Sequence, residues 1–387
     1  MFLIQRLNRY LLWRSSVEPT PQHLAKYRLT MAVSLLPAFL VGLLVFGWYP
    51  AVTIVFSVGT AYAADYLAKR YLFKGPLGAA GTGDALWLIT GLLVAMLTPP
   101  ATPWLAVIAV SAAAMILGKH LLSFEGAPFL PPVVVGLLAA HLLFIPYYHP
   151  HENGKPAWPV LTGAFRSSAE PTFEANVKHA VGEFLTADVR NSLEKEDYRK
   201  KLWGYAQPLL ADGTPAQAVH SPRPIDVAAA NPREALTAVG PEYYDAKSLL
   251  LGGVPASIGG SSSLALIFGI LLVVFSGAVS WVLPVTALLT LGLLLSLCGN
   301  QNVEIHLLSG STLLGFFYLA GDKLSAPRTL LGQAMAGLAL GILEFLLRTV
   351  TPLSEATFLT ALVVQGLTPI FDQYLTKPKE PPRPVVV

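Results

Sequence analysis

The sequence predicts an all-α polytopic membrane protein, with ten transmembrane segments as two inverted five-helix repeats and an extramembrane insert between them. Three observations carry this reading. Of 387 residues, 53% are hydrophobic and only 13% are charged, with a mean hydropathy of +0.56. A soluble globular chain carries about 25% charged residues. Several uncharged apolar runs approach the ~20 residues that cross a bilayer as a helix. The third observation is a repeat: Lys119–Leu138, KHLLSFEGAPFLPPVVVGLL, aligns without a gap on Arg348–Leu367, RTVTPLSEATFLTALVVQGL. In both copies a basic residue closes one apolar run and Ala-x-Phe-Leu opens the next (Ala127, Phe129, Leu130; Ala356, Phe358, Leu359). Val134, Val135 and Leu138 then match Val363, Val364 and Leu367. Apolar segments match one another by chance at Val and Leu, but not in phase with a basic residue, so an internal repeat is the better reading.

Residues 1–28 read as a cytoplasmic amphipathic segment, with Phe2, Leu3, Leu7, Tyr10, Leu11 and Trp13 interleaved with arginines. No cleavable signal peptide is expected there, since the first membrane helix can itself serve as the targeting signal. The first membrane repeat is residues 29–146. Helix 1 is expected over Leu29–Trp48 and helix 2 over Ala51–Ala68, followed by Lys69, Arg70 and Lys74 and a glycine-rich break before Asp84. The third run, Ala85–Leu97, is short for a span and ends in Thr98–Pro103, where proline breaks the helix. Broken backbone in lipid survives only where protein or a water-filled cavity satisfies it. Helix 4 is expected over Trp104–Gly118 and helix 5 over Phe129–Pro146.

Residues 147–250 are rich in Lys, Arg, Glu, Asp and Pro and read as an insert the size of a small domain. The second membrane repeat is residues 251–375, with helix 6 over Leu264–Trp281 and helix 7 over Val282–Leu297. A short run over Thr312–Ala320, helix 9 over Thr329–Leu347 and helix 10 over Phe358–Tyr374 complete it, and residues 376–387 form a Pro-rich cytoplasmic tail. In each half the third segment is the abbreviated one, which is the sequence pointer to a site near the midplane at a repeat interface.

Five segments per half require the halves to point in opposite directions, and the basic residues agree. With both termini inside, Lys69/Arg70/Lys74, Lys119, Lys323/Arg328 and Lys377/Lys379/Arg383 fall inside, while Thr98–Pro103 and Asn300–His306 fall outside without Lys or Arg. Arg348 is the exception. The insert is then extracytoplasmic. A single cysteine, Cys298, excludes an internal disulfide and any multi-cysteine metal or iron–sulfur site. A net charge of +3 gives no reason to expect a nucleic-acid partner, and the bilayer is the expected surroundings.

The wording of the segments resembles the RnfD/NqrB family, membrane subunits of the Rnf and sodium-pumping NADH:quinone oxidoreductase complexes. The likeness rests on Gly83-Asp84, Thr90-Gly91-Leu92-Leu93, Leu97-Thr98-Pro99-Pro100, Pro103-Trp104, Gly118-Lys119 and Pro128-Phe129. It continues through Val254-Pro255, Ile258-Gly259 and Ser262 to the strongest block, His306-Leu307-Leu308-Ser309-Gly310-Ser311-Thr312. Gly315, Asp322, Pro327, Arg348, Pro369-Ile370 and Asp372 follow in family order. The resemblance implies a divergent ten-helix subunit of a flavin-dependent complex that pumps Na⁺ or H⁺ across a bacterial inner membrane, assembled with membrane and flavin or Fe–S subunits. It also implies FMN held covalently on an extracytoplasmic threonine, with riboflavin as a further candidate flavin. Thr214, in Asp212-Gly213-Thr214-Pro215-Ala216, is the nearest counterpart of the attachment phrase. Several departures weigh against the flavin. Ala127-Pro128-Phe129-Leu130-Pro131 lacks the family's two asparagines, Gly260 stands for a glutamate and Gln365 for an asparagine.

Each candidate has a plainer reading beside it. Lys119, Gly310, Thr312 and Arg348 are the residues the resemblance brings to a cofactor, yet Lys119 can equally be a snorkelling lysine that sets orientation. Asp322, Asp84, Glu344 and Asp372 are the ion-path candidates, because membrane carboxylates are costly and usually functional. Against this, Lys323 offers Asp322 a local ion pair, Asp84 can cap a helix, and Glu344 can pair with Arg348 four residues on. His149 and His151 read as an exposed loop rather than a metal site. Two other readings stay open: a flavin-free structural subunit of a redox assembly, and a small-solute channel on the five-plus-five plan that urea transporters share. The topology has a direct test. A cysteine introduced at Ser168 should react with a membrane-impermeant thiol reagent from outside and stay unlabelled from the cytoplasmic side.

Overall fold

The computed structural model describes residues 21–46, 49–72, 85–99, 102–124, 127–128, 130–143, 151–152, 155–156, 158–160, 219–221, 225, 246–252, 256–300, 302–308, 312–350 and 357–375. It is helical. The apolar runs form α1 (Pro21–Ser34), α2 (Leu36–Phe46), α3 (Tyr49–Leu67), α4 (Leu86–Leu97), α5 (Trp104–Ala113) and α6 (Pro132–Leu143). After the insert come α7 (Ala246–Leu251), α8 (Ser263–Phe275), α9 (Val282–Leu297), α10 (Val303–Leu308), α11 (Thr312–Leu314), α12 (Leu330–Val350) and α13 (Thr357–Leu375). Three of them run on into wider π-helical turns: α3 through Ala68–Leu72, α5 through Ala114–Leu121 and α11 through Gly315–Ala320. The strands are two or three residues long, in antiparallel pairs: Ser123–Phe124 with Ala127–Pro128, His151–Glu152 with Lys155–Pro156, and Trp158–Val160 with Val219–Ser221.

Among the described residues, four helical stretches are long and apolar enough to cross a membrane: Leu24–Leu44, Pro50–Tyr71, Trp104–Leu121 and Leu330–Val350. Four more are apolar but shorter, namely α4, α6, α8 and α9. Large apolar side chains such as Leu105, Phe275, Leu297 and Val350 stand on the outside, as suits surroundings of lipid.

Three boundaries differ from the sequence reading. The first described helix is already wound at Pro21, upstream of Leu29, and carries Lys26 and Arg28. Helix 6 ends at Phe275 instead of Trp281: Gly277, at φ 73°, turns the chain, and Val279 pairs with Asp322 in an isolated β-bridge. The Asn300–His306 stretch, expected as loop, holds a helix from Val303. The Asn300 side-chain oxygen accepts the Asn302 N–H (2.8 Å), and the Asn302 carbonyl accepts from Ile305 and His306. The 1–20 segment, most of the insert and the 376–387 tail lie outside the described residues.

The abbreviated segments are the innermost. Every residue from Thr312 to Ala320 is buried, and α4 buries nine residues from Leu86 to Leu97. Around them one apolar core draws on both halves, from Met31, Val94, Met96 and Leu137 to Leu266, Leu291, Phe316, Leu340 and Val364. Close crossings shape this centre. A Cβ on Gly91 would lie 2.6 Å from the Val58 Cα, so only glycine lets α4 meet α3 this closely. Gly118 stands in the same relation to Pro132, also at 2.6 Å. At the first crossing Ser57 Oγ donates to the Gly91 carbonyl (2.7 Å) and meets Ser111 Oγ (2.8 Å). The break after α4 is satisfied by protein, as lipid requires. Thr98 Oγ1 donates to the Val94 carbonyl (2.7 Å), Thr102 Oγ1 to the Pro99 carbonyl (2.8 Å), and the Thr98 carbonyl accepts the Ile258 N–H (3.2 Å). That last bond ties the two halves of the chain together.

Candidate functional site

Among the described residues, three buried clusters hold ionisable side chains that bond to one another or to the backbone. The first surrounds Arg348. Its guanidinium pairs with Glu344 (Nη2 to Oε1, 2.8 Å), and both side chains are wholly buried. The spacing of four residues puts the two on one face of α12. Arg348 Nη1 donates to the His306 carbonyl (2.8 Å) and Nη2 to Thr312 Oγ1 (2.6 Å). Glu344 accepts from Thr357 Oγ1 (2.8 Å) and Thr360 Oγ1 (2.7 Å). Thr312 Oγ1 in turn donates to the His306 carbonyl (3.2 Å), and the Asn300 amide meets His306 Nε2 (3.1 Å). The network therefore clamps α10, α11 and α13 onto α12, and every charge in it is compensated inside the protein.

The second place is the connector between α11 and α12. Asp322 Oδ1 accepts from the Tyr27 hydroxyl (2.5 Å) and the Leu324 N–H (3.1 Å), and Oδ2 from Ser325 Oγ (3.2 Å). Lys323 turns away, its ammonium donating to the Gly277 carbonyl (3.3 Å) and its N–H to the Tyr27 oxygen (3.1 Å). Asp372, buried on α13, accepts the Arg328 N–H (2.8 Å), while Thr368 Oγ1 donates to the Ser325 carbonyl (3.2 Å). Two carboxylates thus accept backbone N–H groups of this connector. Gln365, also on α13, donates to the Leu319 carbonyl (2.5 Å).

The third place lies where α3 and α5 become π-helical. The fully buried Asp65 carboxylate meets Lys119 Nζ (2.9 Å) and His120 Nε2 (2.9 Å) at Oδ1, and Lys69 Nζ stands 3.1 Å from Oδ2 as an ion pair without hydrogen-bond geometry.

Of the residues singled out from sequence, Thr312, Glu344 and Arg348 are brought together, and Asp322 and Asp372 share a turn. Lys119 stands apart from both groups and holds a carboxylate within the protein rather than snorkelling. Asp84, Gly310 and Thr214 lie outside the described residues. Sequence reasoning missed Asp65, His120, Tyr27, Thr357 and Thr360. For Asp65 the signal was present: a lone acid inside an apolar run, with Lys69 one helical turn on. For Tyr27, whose partner is 295 residues away, there was none.

The cations that the resemblance would bring to a flavin phosphate do not fit that role here. Arg348 has its guanidinium spread over Glu344, His306 and Thr312, and Lys119 has its ammonium on Asp65 and only 6% of its side chain exposed. Among the described residues, neither presents an open face to a phosphate.

The model of the NQR2, RnfD, RnfE family matches residues 16–380. The chain belongs to that family. Its relatives include the D subunit of the ion-translocating oxidoreductase complex of Halorhodospira halophila, 24% identical over 345 residues, covering 88% of this chain and 86% of the relative. The D subunit of the same complex in Cronobacter sakazakii is 27% identical over 363 residues, covering 91% and 93%. The D subunit of the proton-translocating ferredoxin:NAD(+) oxidoreductase complex of Clostridium ljungdahlii is 23% identical over 359 residues, covering 91% and 90%. At such identities the family's fold carries over, while side-chain chemistry is read from this chain.

The Arg348 network predicts an asymmetry in mutant stabilities. Glu344→Gln leaves a buried guanidinium without its carboxylate and should cost about 3–5 kcal/mol. The double variant Glu344→Gln/Arg348→Met removes both charges and should recover much of that loss. Thermal unfolding of the detergent-solubilised chain measures both.

Proposed function

We propose that this chain is the membrane-embedded D-type subunit of a complex that couples electron transfer to ion translocation, working with the other subunits of that complex. The family match over residues 16–380 carries the reading, and relatives named as ion-translocating or proton-translocating oxidoreductase subunits agree with it. The reading includes ten membrane segments in two inverted repeats (29–146 and 251–375), with 1–28 and 376–387 inside a bacterial cytoplasmic membrane and 147–250 outside. The central position of the two abbreviated segments supports it.

The ion's passage is proposed to run past Asp84, Asp322, Glu344 and Asp372. The three of these that are described are all held by hydrogen bonds or an ion pair, so the path would open by exchange of partners, not at a standing vacancy. Asp322 is the carboxylate chosen for test; among the described residues a phenol, a hydroxyl and one N–H hold it.

Covalent FMN, where the family relation implies it, belongs on the insert at Thr214, and it would supply one-electron transfer there. A flavin-free scaffold is the second reading. It is favoured by the internal commitment of Lys119, Thr312 and Arg348, and no step through a flavin is derived from this chain.

Two experiments test the reading. Asp322→Asn should leave the complex assembled but lower ion movement per electron, measured in inverted membrane vesicles; wild-type coupling would remove Asp322 from the path. Intact mass of the native subunit decides the cofactor. An increment of one FMN less water, abolished by Thr214→Val, assigns the attachment, and an unmodified mass assigns the scaffold.

A further inference from the structure

We propose that Gln365 of α13, with the backbone carbonyl that Pro369 frees on it and the Leu319 end of the abbreviated segment, forms a binding site for a sodium ion. The inference rests on the proposed reading of the chain as part of an ion-translocating complex. It gives the ion a resting point between Glu344 and Asp372.

The helix places the residue. Thr357, Thr360, Gln365, Thr368 and Asp372 are all buried, and at 3.6 residues per turn they fall within an arc of about 140° of α13. Gln365 stands about 7.5 Å along the axis from Thr360, which bonds Glu344, and about 10.5 Å from Asp372. Only 5% of Gln365 is exposed. Its Nε2 donates to the Leu319 carbonyl (2.5 Å), and this fixes which way the amide faces, since its oxygen has nothing to donate to a carbonyl. Oε1 is then buried with no hydrogen-bond partner among the described residues. An amide oxygen is costly to bury unless something meets it.

Two backbone oxygens join it. Pro369 lies inside α13, four residues on, and has no N–H to give the Gln365 carbonyl. In a membrane helix a carbonyl freed in this way has to be met by other groups. Leu319 lies in the last turn of the π-helical stretch Gly315–Ala320, where the abbreviated segment ends. The carbonyl end of a helix carries the negative pole of its dipole, and the Leu319 oxygen keeps a second lone pair after accepting from Nε2.

These oxygens choose the ligand. Amide and peptide oxygens do not take up a proton near neutral pH, so the group is not a proton carrier. Divalent cations are held through carboxylates, and among the described residues the Gln365 side chain bonds to none. Unwound backbone carbonyls and the C-terminal ends of broken helices hold sodium ions in transporters built from repeats. A buried water would also satisfy Oε1, but it would not tell sodium from another cation.

The test follows thermal unfolding of the full-length, detergent-solubilised chain in sodium chloride and in choline chloride at equal ionic strength. Wild type should unfold at least about 3 °C higher in sodium. Gln365→Leu removes Oε1 and should abolish the difference. Pro369→Ala returns an N–H to the Gln365 carbonyl and should at least halve it. Because the readout is the difference between the two salts, a change in the overall stability of either variant does not enter it. No difference in wild type, the result for a buried water only, overturns the site. A sodium difference that either variant keeps in full overturns it as well. Neither result touches the translocating reading, which ion movement by the assembled complex tests separately. A complex that moves no ion, beside a chain that sodium stabilises through Gln365, removes that reading and keeps the site.

Discussion

A guanidinium buried among apolar helices forces its neighbours into place. The Arg348 side chain has no exposure at all, so its charge and its N–H groups must find partners inside the protein. Glu344 meets the charge, Thr312 and the His306 carbonyl meet the terminal Nη groups, Nε has no hydrogen-bond partner among the described residues, and Thr357 and Thr360 meet what remains of Glu344. Four helical segments are fixed in register as a result. Such a pair adds little net stability over well-packed apolar residues, but breaking one side of it is costly, so its contribution is to specify one arrangement. The abbreviated segment from Thr312 to Ala320 owes its central position to this clamp as much as to its own apolar character.

The sequence alignment sets Lys119 opposite Arg348, and the two residues meet their carboxylates differently. Lysine offers a compact point charge, and Lys119 takes its carboxylate from a neighbouring helix. Arginine offers a planar fork, and Arg348 takes its carboxylate from its own helix while reaching two further segments. Aligned positions therefore do not carry the same network. The Lys119 cluster gathers three bases on one acid; the Arg348 cluster gathers hydroxyls and a carbonyl around one balanced pair.

Much of the fold was legible because a long uncharged run has few alternatives to a helix in lipid. The breaks at Thr98–Pro103 and Gly321-Asp322 were legible too, since proline and glycine act locally. What escaped depended on distant partners. Asp322 reads as a neighbour of Lys323, yet its shortest bond comes from Tyr27 at the other end of the chain. The helix from Val303 hung on one asparagine side chain bonding two residues ahead, a signal easily taken for a loop. Asp65 was readable and was passed over, because a single acid in nineteen helical residues leaves the run's apolar average almost unchanged. The cooperation of Glu344 with Arg348 was visible from spacing, but not the threonines of the next helix that complete it.

The π-helical turns carry a consequence for how relatives of this chain are compared. A π turn takes up more residues than an α turn over a similar rise, so it absorbs a surplus residue without lengthening a loop. A relative wound as plain α-helix at 68–72, 114–121 or 315–320 would be one residue shorter there and still cross the same thickness. The register of Lys119 against its counterparts then depends on a single-residue gap set inside a membrane helix, where gaps are ordinarily penalised most. Misplacing that gap would turn Lys119 into Gly118 or His120 on paper while the ammonium stayed where it is.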